Sequence, residues 1–294
     1  MIPFKGHEIA IQAANEEIGT PAIILIHGVL ASYKFWNEIL PVEIREKRRW
    51  YSISLPGHHP SKVPAPYNPE SLNEDWFSEY VEEIVKELVG DEKYILIGHS
   101  TGGFAALNFA TTQPENLLGV ISIAGFYQGN WGGIEGALVN LAGLGSWAKP
   151  LFILNLAIGR LSFPVQRWLS AQLAHDKKSY YASKLTDKML KCIQPLMKQQ
   201  KLSNLFPLFN RIKTLNILEK LKKITVATYI FAGNKDPVIS AEQSLILSSH
   251  IPATKTIAFD KVGHMPFMER EKEFSLELSA VIEQIDNTNE GKLI

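Results

Sequence analysis

Residues 94–103 read Tyr-Ile-Leu-Ile-Gly-His-Ser-Thr-Gly-Gly, and a helix-forming run begins at Phe104. Four consecutive apolar residues closed by a glycine are the mark of a strand buried on both faces, as in a parallel sheet. A serine set between Gly98 and Gly102, with a strand before it and a helix after it, sits in a turn that strains its backbone and exposes its hydroxyl. Glycine is needed at both flanks because the turn brings backbone segments too close together for side chains. The pattern therefore predicts alternating strands and helices and nominates Ser100 as a nucleophile.

The rest of the chain agrees with that alternation. Apolar runs bounded by turn residues recur at 22–26, 50–55, 120–123 and 226–231, with a shorter one at 255–259. Helical patterns lie between them at 74–89 and 104–110, which predicts an α/β fold. Residues 8–14 suit an antiparallel edge strand. The alternation stops at Gly125 and resumes near Ile224. The residues between open with a glycine-rich stretch, 128–145, and continue with helical spacing, so a helical cap over 126–222 is expected, inserted into a core formed by 1–125 and 223–294. At 294 residues, one large domain carrying an insertion is the natural size class.

A serine hydroxyl attacks poorly at neutral pH unless a base takes its proton and an acid fixes the base's tautomer. Both should follow Ser100 in the chain, in loops at the C-terminal ends of later strands. Asp236 follows the strand at 226–231, and His264 follows the one at 255–259, which makes them the candidate acid and base. Asp260 is the rival acid but lies on the loop that leads to the histidine. The stretch 121–125 holds no carboxylate, which also favours Asp236. The amides of Val29, just past His27-Gly28 at a strand end, and of Thr101, at a helix start, are the candidate donors to an oxyanion. The remaining histidines, His7, His58, His59, His99, His175 and His250, have no metal-ligand spacing and read as structural or exposed, with His99 turned away from the reaction.

Together, His27-Gly28, the segment 54–61, the turn 98–103, Asp236-Pro237 and Gly263-His264 resemble the α/β-hydrolase family over nearly the whole chain. The resemblance implies an eight-stranded, mostly parallel sheet, a lid inserted after the sixth strand, and an acyl-enzyme mechanism without cofactor or metal. Dehalogenases and epoxide hydrolases of this fold carry aspartate at the elbow, so Ser100 argues against both. Two departures from the family pattern are Ser54, where aspartate is common, and the bulky His58-His59-Pro60, where small residues are usual.

The resemblance also implies that cap residues, aromatic and aliphatic, line an apolar pocket for a hydrophobic acyl group. A carboxylic ester is the first expectation. An acyl-carrier or acyl-CoA thioesterase and a C–C bond hydrolase use the same triad, and a non-catalytic ligand receptor of the same fold is the alternative outside enzymes. The formal net charge of zero conceals an imbalance: residues 126–222 hold 14 Lys/Arg against 4 Asp/Glu. Such a surface would attract an acyl-carrier protein, an anionic lipid surface or a charged substrate, whereas nucleic acid is not expected without a binding motif. Cys192 is the single cysteine and has no disulfide partner. Residues 1–10 lack a basic start followed by an apolar run, and the apolar stretch 151–158 is too short to span a membrane, so a cytoplasmic protein is the default expectation.

Overall fold

In the computed structural model, which describes residues 1–19 and 21–289, seven strands form one sheet in the order β3-β5-β4-β6-β7-β8-β9. Their ranges are β3 Ile11–Ala14, β4 Ala22–Ile26, β5 Trp50–Ile53, β6 Tyr94–His99, β7 Leu117–Ile123, β8 Ala227–Gly233 and β9 Thr254–Phe259. All neighbours run parallel except β3, which pairs antiparallel with β5 at the edge. Position 20 and positions 290–294 of the two expected core segments lie outside the described residues.

The expected count of eight strands is corrected to seven. The stretch 8–14 does not form one strand. It breaks at Ala10, whose N–H donates to Ser61 Oγ at 2.9 Å and whose carbonyl accepts from the Ser54 N–H at 2.9 Å. Its first part, β2 His7–Ile9, instead pairs with β1 Ile2–Phe4 in a separate two-stranded antiparallel ribbon. The helical segment consequently follows β7, the fifth strand of this sheet in chain order, rather than a sixth.

The strands are apolar on both sides because each side faces its own core. Ile24 and Ile26 of β4 enter one cluster with Val81, Ile84 and Phe104, while Ile23 and Leu25 enter the other with Trp36, Ile97 and Phe274. Helix Glu74–Val89 starts where the Asn73 side chain accepts from the Trp76 N–H at 2.9 Å, and Glu74 and Asp75 add negative charge to its first turn. It ends at Gly90, with φ +56°.

Between β7 and β8 the structure is helical, with Gly133–Gly143, Lys149–Ile158, Phe163–Ser170, Lys184–Gln199 and Phe206–Ile212 as the longer pieces. Phe152 is fully buried here and packs against Phe206 and Phe209, with ring centroids 5.5 and 5.1 Å away. Among the described residues, no helix is long and apolar enough to cross a membrane.

Candidate active site

Ser100 follows β6 directly and opens helix Thr101–Ala110, with φ +53° and ψ −116°. A serine in that region is strained by about 1–3 kcal/mol. The turn is held by the Ser100 N–H donating to the Ile123 carbonyl at 2.8 Å and the Phe104 N–H to the Ser100 carbonyl at 3.0 Å. A Cβ at Gly98 would collide with the Gly102 carbonyl, and one at Gly102 with the carbonyl of Ile26. The tightness of the turn itself therefore requires Gly98, and close packing against the end of β4 requires Gly102.

Asp236 and His264 come together, although 28 positions separate them. The His264 Nδ1–H donates to Asp236 Oδ2 at 2.7 Å. The other oxygen, Oδ1, accepts from the N–H groups of Val238 at 2.7 Å and Ile239 at 3.0 Å, which fixes the carboxylate. That pairing puts the proton on Nδ1 and leaves Nε2 as the basic nitrogen. Both His264 Nε2 and Ser100 Oγ are buried without a hydrogen-bond partner, and both residues line the same cavity. Asp260 is elsewhere, accepting from Asn234 Nδ2 at 2.8 Å on the exposed surface.

Burial disfavours a charged imidazole at position 264, but the Asp236 charge and hydrogen bond, aided by Glu135 and Glu269, outweigh it and raise the His264 pKa above its ordinary value. His27 stays neutral, chiefly through burial and secondarily through His58. Its Nδ1–H donates to the Gly28 carbonyl at 2.7 Å, and its Nε2 accepts from the Leu55 N–H at 3.1 Å. His58 Nε2 accepts from the Leu30 N–H at 3.2 Å. Of the bulky residues that depart from the family pattern, His58 fixes the loop after β4 with its ring, while His59 bonds through its backbone, its N–H donating to Gln200 Oε1 at 2.6 Å. The Ala31 N–H donates to the Gly28 carbonyl at 3.3 Å, so these loop bonds engage the amides of Leu30 and Ala31 and not that of Val29. Thr101 N–H lies in the first helical turn, where amides have no carbonyl within the helix.

Three groups at the site escaped the sequence reading. His99 does not turn away: it lines the cavity, stacks on Phe35 at 5.5 Å, and donates from Nε2 to the His264 carbonyl at 3.2 Å. Glu269 is buried and accepts from the N–H groups of Gly263 at 2.9 Å, His175 at 2.9 Å and Asp176 at 2.7 Å. It joins the histidine's loop to the helical segment, as does the His264 N–H donating to the Leu173 carbonyl at 2.9 Å. Glu135 lines the cavity as well. The glycines beside Glu135 and the short spacing from Gly263 to Glu269 were the available signals, but neither states burial.

The cavity encloses about 430 Å³. Its walls are aliphatic, with Leu138, Leu156, Leu173, Met189 and Ile193 from the helical segment and Val29 from the loop after β4. The aromatic residues of the segment contribute elsewhere: Phe152 is core, whereas Trp147 and Trp168 are 72% and 57% exposed. Among the described residues, no group of three or more His, Cys, Asp or Glu side chains is placed to hold a metal ion.

A family model described as the alpha/beta hydrolase fold matches residues 21–271. A proline iminopeptidase of Saccharolobus solfataricus is 23% identical over 217 residues, covering 72% of this chain and 69% of that protein. A pimeloyl-[acyl-carrier protein] methyl ester esterase of Nitrosomonas europaea is 21% identical over 259 residues, covering 86% and 92%. Among solved structures, the esterase RhEst1 from Rhodococcus sp. ECU1013 superposes with a TM-score of 0.73 at 17% identity, covering 97% of this chain and 98% of that one. That last likeness is one of fold.

Proposed function

The chain belongs to the α/β-hydrolase fold family and is an enzyme, and from that premise we propose that it cleaves a carboxylic ester with a hydrophobic acyl group through Ser100, His264 and Asp236. The observation that carries this reading is the pair of unpartnered atoms, Ser100 Oγ and His264 Nε2, at one cavity with Nδ1 already held by Asp236. In the proposed cycle, Nε2 takes the hydroxyl proton as Oγ adds to the carbonyl carbon. The amides of Val29 and Thr101 donate to the resulting oxyanion, each worth about 10²–10³ in rate. Collapse breaks the bond to the leaving oxygen, which receives the proton from Nε2–H. Water then adds to the acyl-enzyme by the same route, releasing the acid and restoring Ser100.

The helices of 126–222 act in this reading as a lid on a core of 1–125 and 223–294, because they supply most of the cavity wall. An aliphatic wall suits an alkyl or acyl chain. A thioester would enter the same cycle with sulfur as the leaving atom. The positive surplus of the lid supports an anionic carrier or surface as the source of substrate.

The decisive experiment is turnover of p-nitrophenyl esters and acyl-CoA thioesters graded by chain length, together with fluorophosphonate labelling. Wild-type protein should hydrolyse medium-chain esters and label at Ser100, and Ser100→Ala should do neither while keeping its melting temperature. Comparable turnover by Ser100→Ala would refute the assignment of the nucleophile. Labelling without turnover of any ester or thioester would favour the receptor or the C–C bond hydrolase.

A further inference from the structure

An apolar cavity gains nothing from a buried carboxyl, yet this one contains Glu135. Its residue is 4% exposed, it lines the cavity beside Ser100 and His264, and its Oε2 is buried with no hydrogen-bond partner. Leaving such an atom unpaired costs about 1–3 kcal/mol, and more when it is charged. Orphaned polar atoms in a site are retained where a ligand completes them.

The position is also built rather than incidental. The Gly132 N–H donates to the Val238 carbonyl at 2.8 Å, two residues from Asp236. A Cβ at Gly132 or Gly133 would press on the Pro237 carbonyl, and Gly133 has φ +59°. The Gly136 N–H then donates to the Gly132 carbonyl at 2.8 Å, and a Cβ at Gly136 would collide with the Trp131 carbonyl. The first turn of helix Gly133–Gly143 is thereby locked to the loop that carries Asp236, with Glu135 at its centre.

Charge selects the missing partner. Burial holds the Glu135 carboxyl at a pKa of about 7, with His264 and Asp236 as the charged groups acting on it. The other carboxylates at the site are already engaged, Asp236 with His264 and two amides, Glu269 with three amides. Of the cationic residues on the cavity wall, Arg160 reaches the Gln200 carbonyl with Nη2 while its Nε is buried without a partner, and Lys198 is exposed, so neither is bonded to Glu135. A neutral donor would fill the vacant hydrogen bond but leave the charge of the Glu135 carboxylate without a bonded counter-charge. A cation with N–H donors does both.

We propose that Glu135 is a subsite for an ammonium group carried by the substrate next to its scissile carbonyl. The enzyme then favours amino-substituted acyl esters whose remaining chain is apolar. This rests on the ester-hydrolase reading above, and its test has a part that does not.

Turnover of p-nitrophenyl 2-aminohexanoate and 3-aminohexanoate is compared at pH 7 with that of the matching methyl- and hydroxy-substituted esters. Wild-type protein should prefer one amino ester over its methyl counterpart by tenfold or more in kcat/KM. Glu135→Gln, which keeps shape and removes charge, should lower that ratio at least tenfold. Equal kcat/KM for amino and methyl esters in the wild type would overturn the proposal, as would an equal advantage for the hydroxy ester or a ratio unchanged in Glu135→Gln. In parallel, calorimetry on Ser100→Ala should give tighter Kd values for methyl 2- or 3-aminohexanoate than for the methyl-substituted esters, and the difference should vanish in Ser100→Ala/Glu135→Gln. If the wild type hydrolyses no ester, the functional reading fails while these Kd values still decide the fate of the subsite.

Discussion

The imidazole of His264 is pulled in two directions, toward neutrality by its burial and toward a proton by Asp236, Glu135 and Glu269, and the second wins. In the proposed cycle only the neutral ring accepts the Ser100 proton. Because its pKa lies above 6.5, activity is full at alkaline pH and is lost as pH falls through a midpoint above that value. A pH profile of kcat/KM should therefore show an acid limb displaced above the ordinary histidine value. Asp236→Asn removes the main group raising that pKa, so the limb should move to lower pH while kcat drops by about 10⁴ through loss of the correct tautomer. A limb left in place would mean that another group titrates. The elbow makes a separate demand on its glycines: Gly98→Ala drives a methyl group into the Gly102 carbonyl. It should destabilise the protein by about 2–3 kcal/mol in urea denaturation. Ser100, Asp236 and His264 could be found in the sequence because each stands at a strand end beside glycine or proline. Glu135, Glu269 and the bond from His99 to His264 could not, since an acidic or imidazole side chain reads as solvated until its neighbours from distant segments are known.

At the scale of elements, the central strands were legible for a simple reason: a strand covered on both faces has to carry a continuous apolar run, as Ala22–Ile26 and residues 94–97 do. Helix Glu74–Val89 was equally legible, through its helical pattern. The edge was legible in part: Ile11–Ala14 forms the expected antiparallel edge strand, but nothing local reveals that Ser61 and Ser54 capture both polar groups of Ala10 and detach residues 8–10 from it. Within the helical segment, the aromatic residues gave no sign of which would be buried. Phe152, enclosed by Phe206 and Phe209, holds the segment's own core. Phe152→Ala should cost about 3–5 kcal/mol, seen as a lower denaturation midpoint, whereas Trp147→Ala at an exposed site should move it by less than about 0.5 kcal/mol. Equal losses from both would show that the exposed tryptophan packs against something in solution.

For the molecule as a whole, a net charge of zero divides into a positive helical segment and a negative remainder. If an anionic carrier delivers the substrate to that segment, kcat/KM for an acyl-carrier-bound ester should fall as salt shortens the Debye length below about 8 Å. Under the same conditions kcat/KM for a p-nitrophenyl ester should stay flat, and parallel curves for the two substrates would remove the carrier from consideration. The helical segment is also stitched to the loops that carry the proposed acid and base: Glu269 ties Gly263 to His175 and Asp176, His264 itself is tied to Leu173, and Gly132 to Val238. Grafting the corresponding helices from a relative onto this core would accordingly change more than substrate preference. Such chimaeras should differ in turnover number even for acetate esters too small to reach the transplanted walls, because the graft junction and the seating of the base are one piece of architecture.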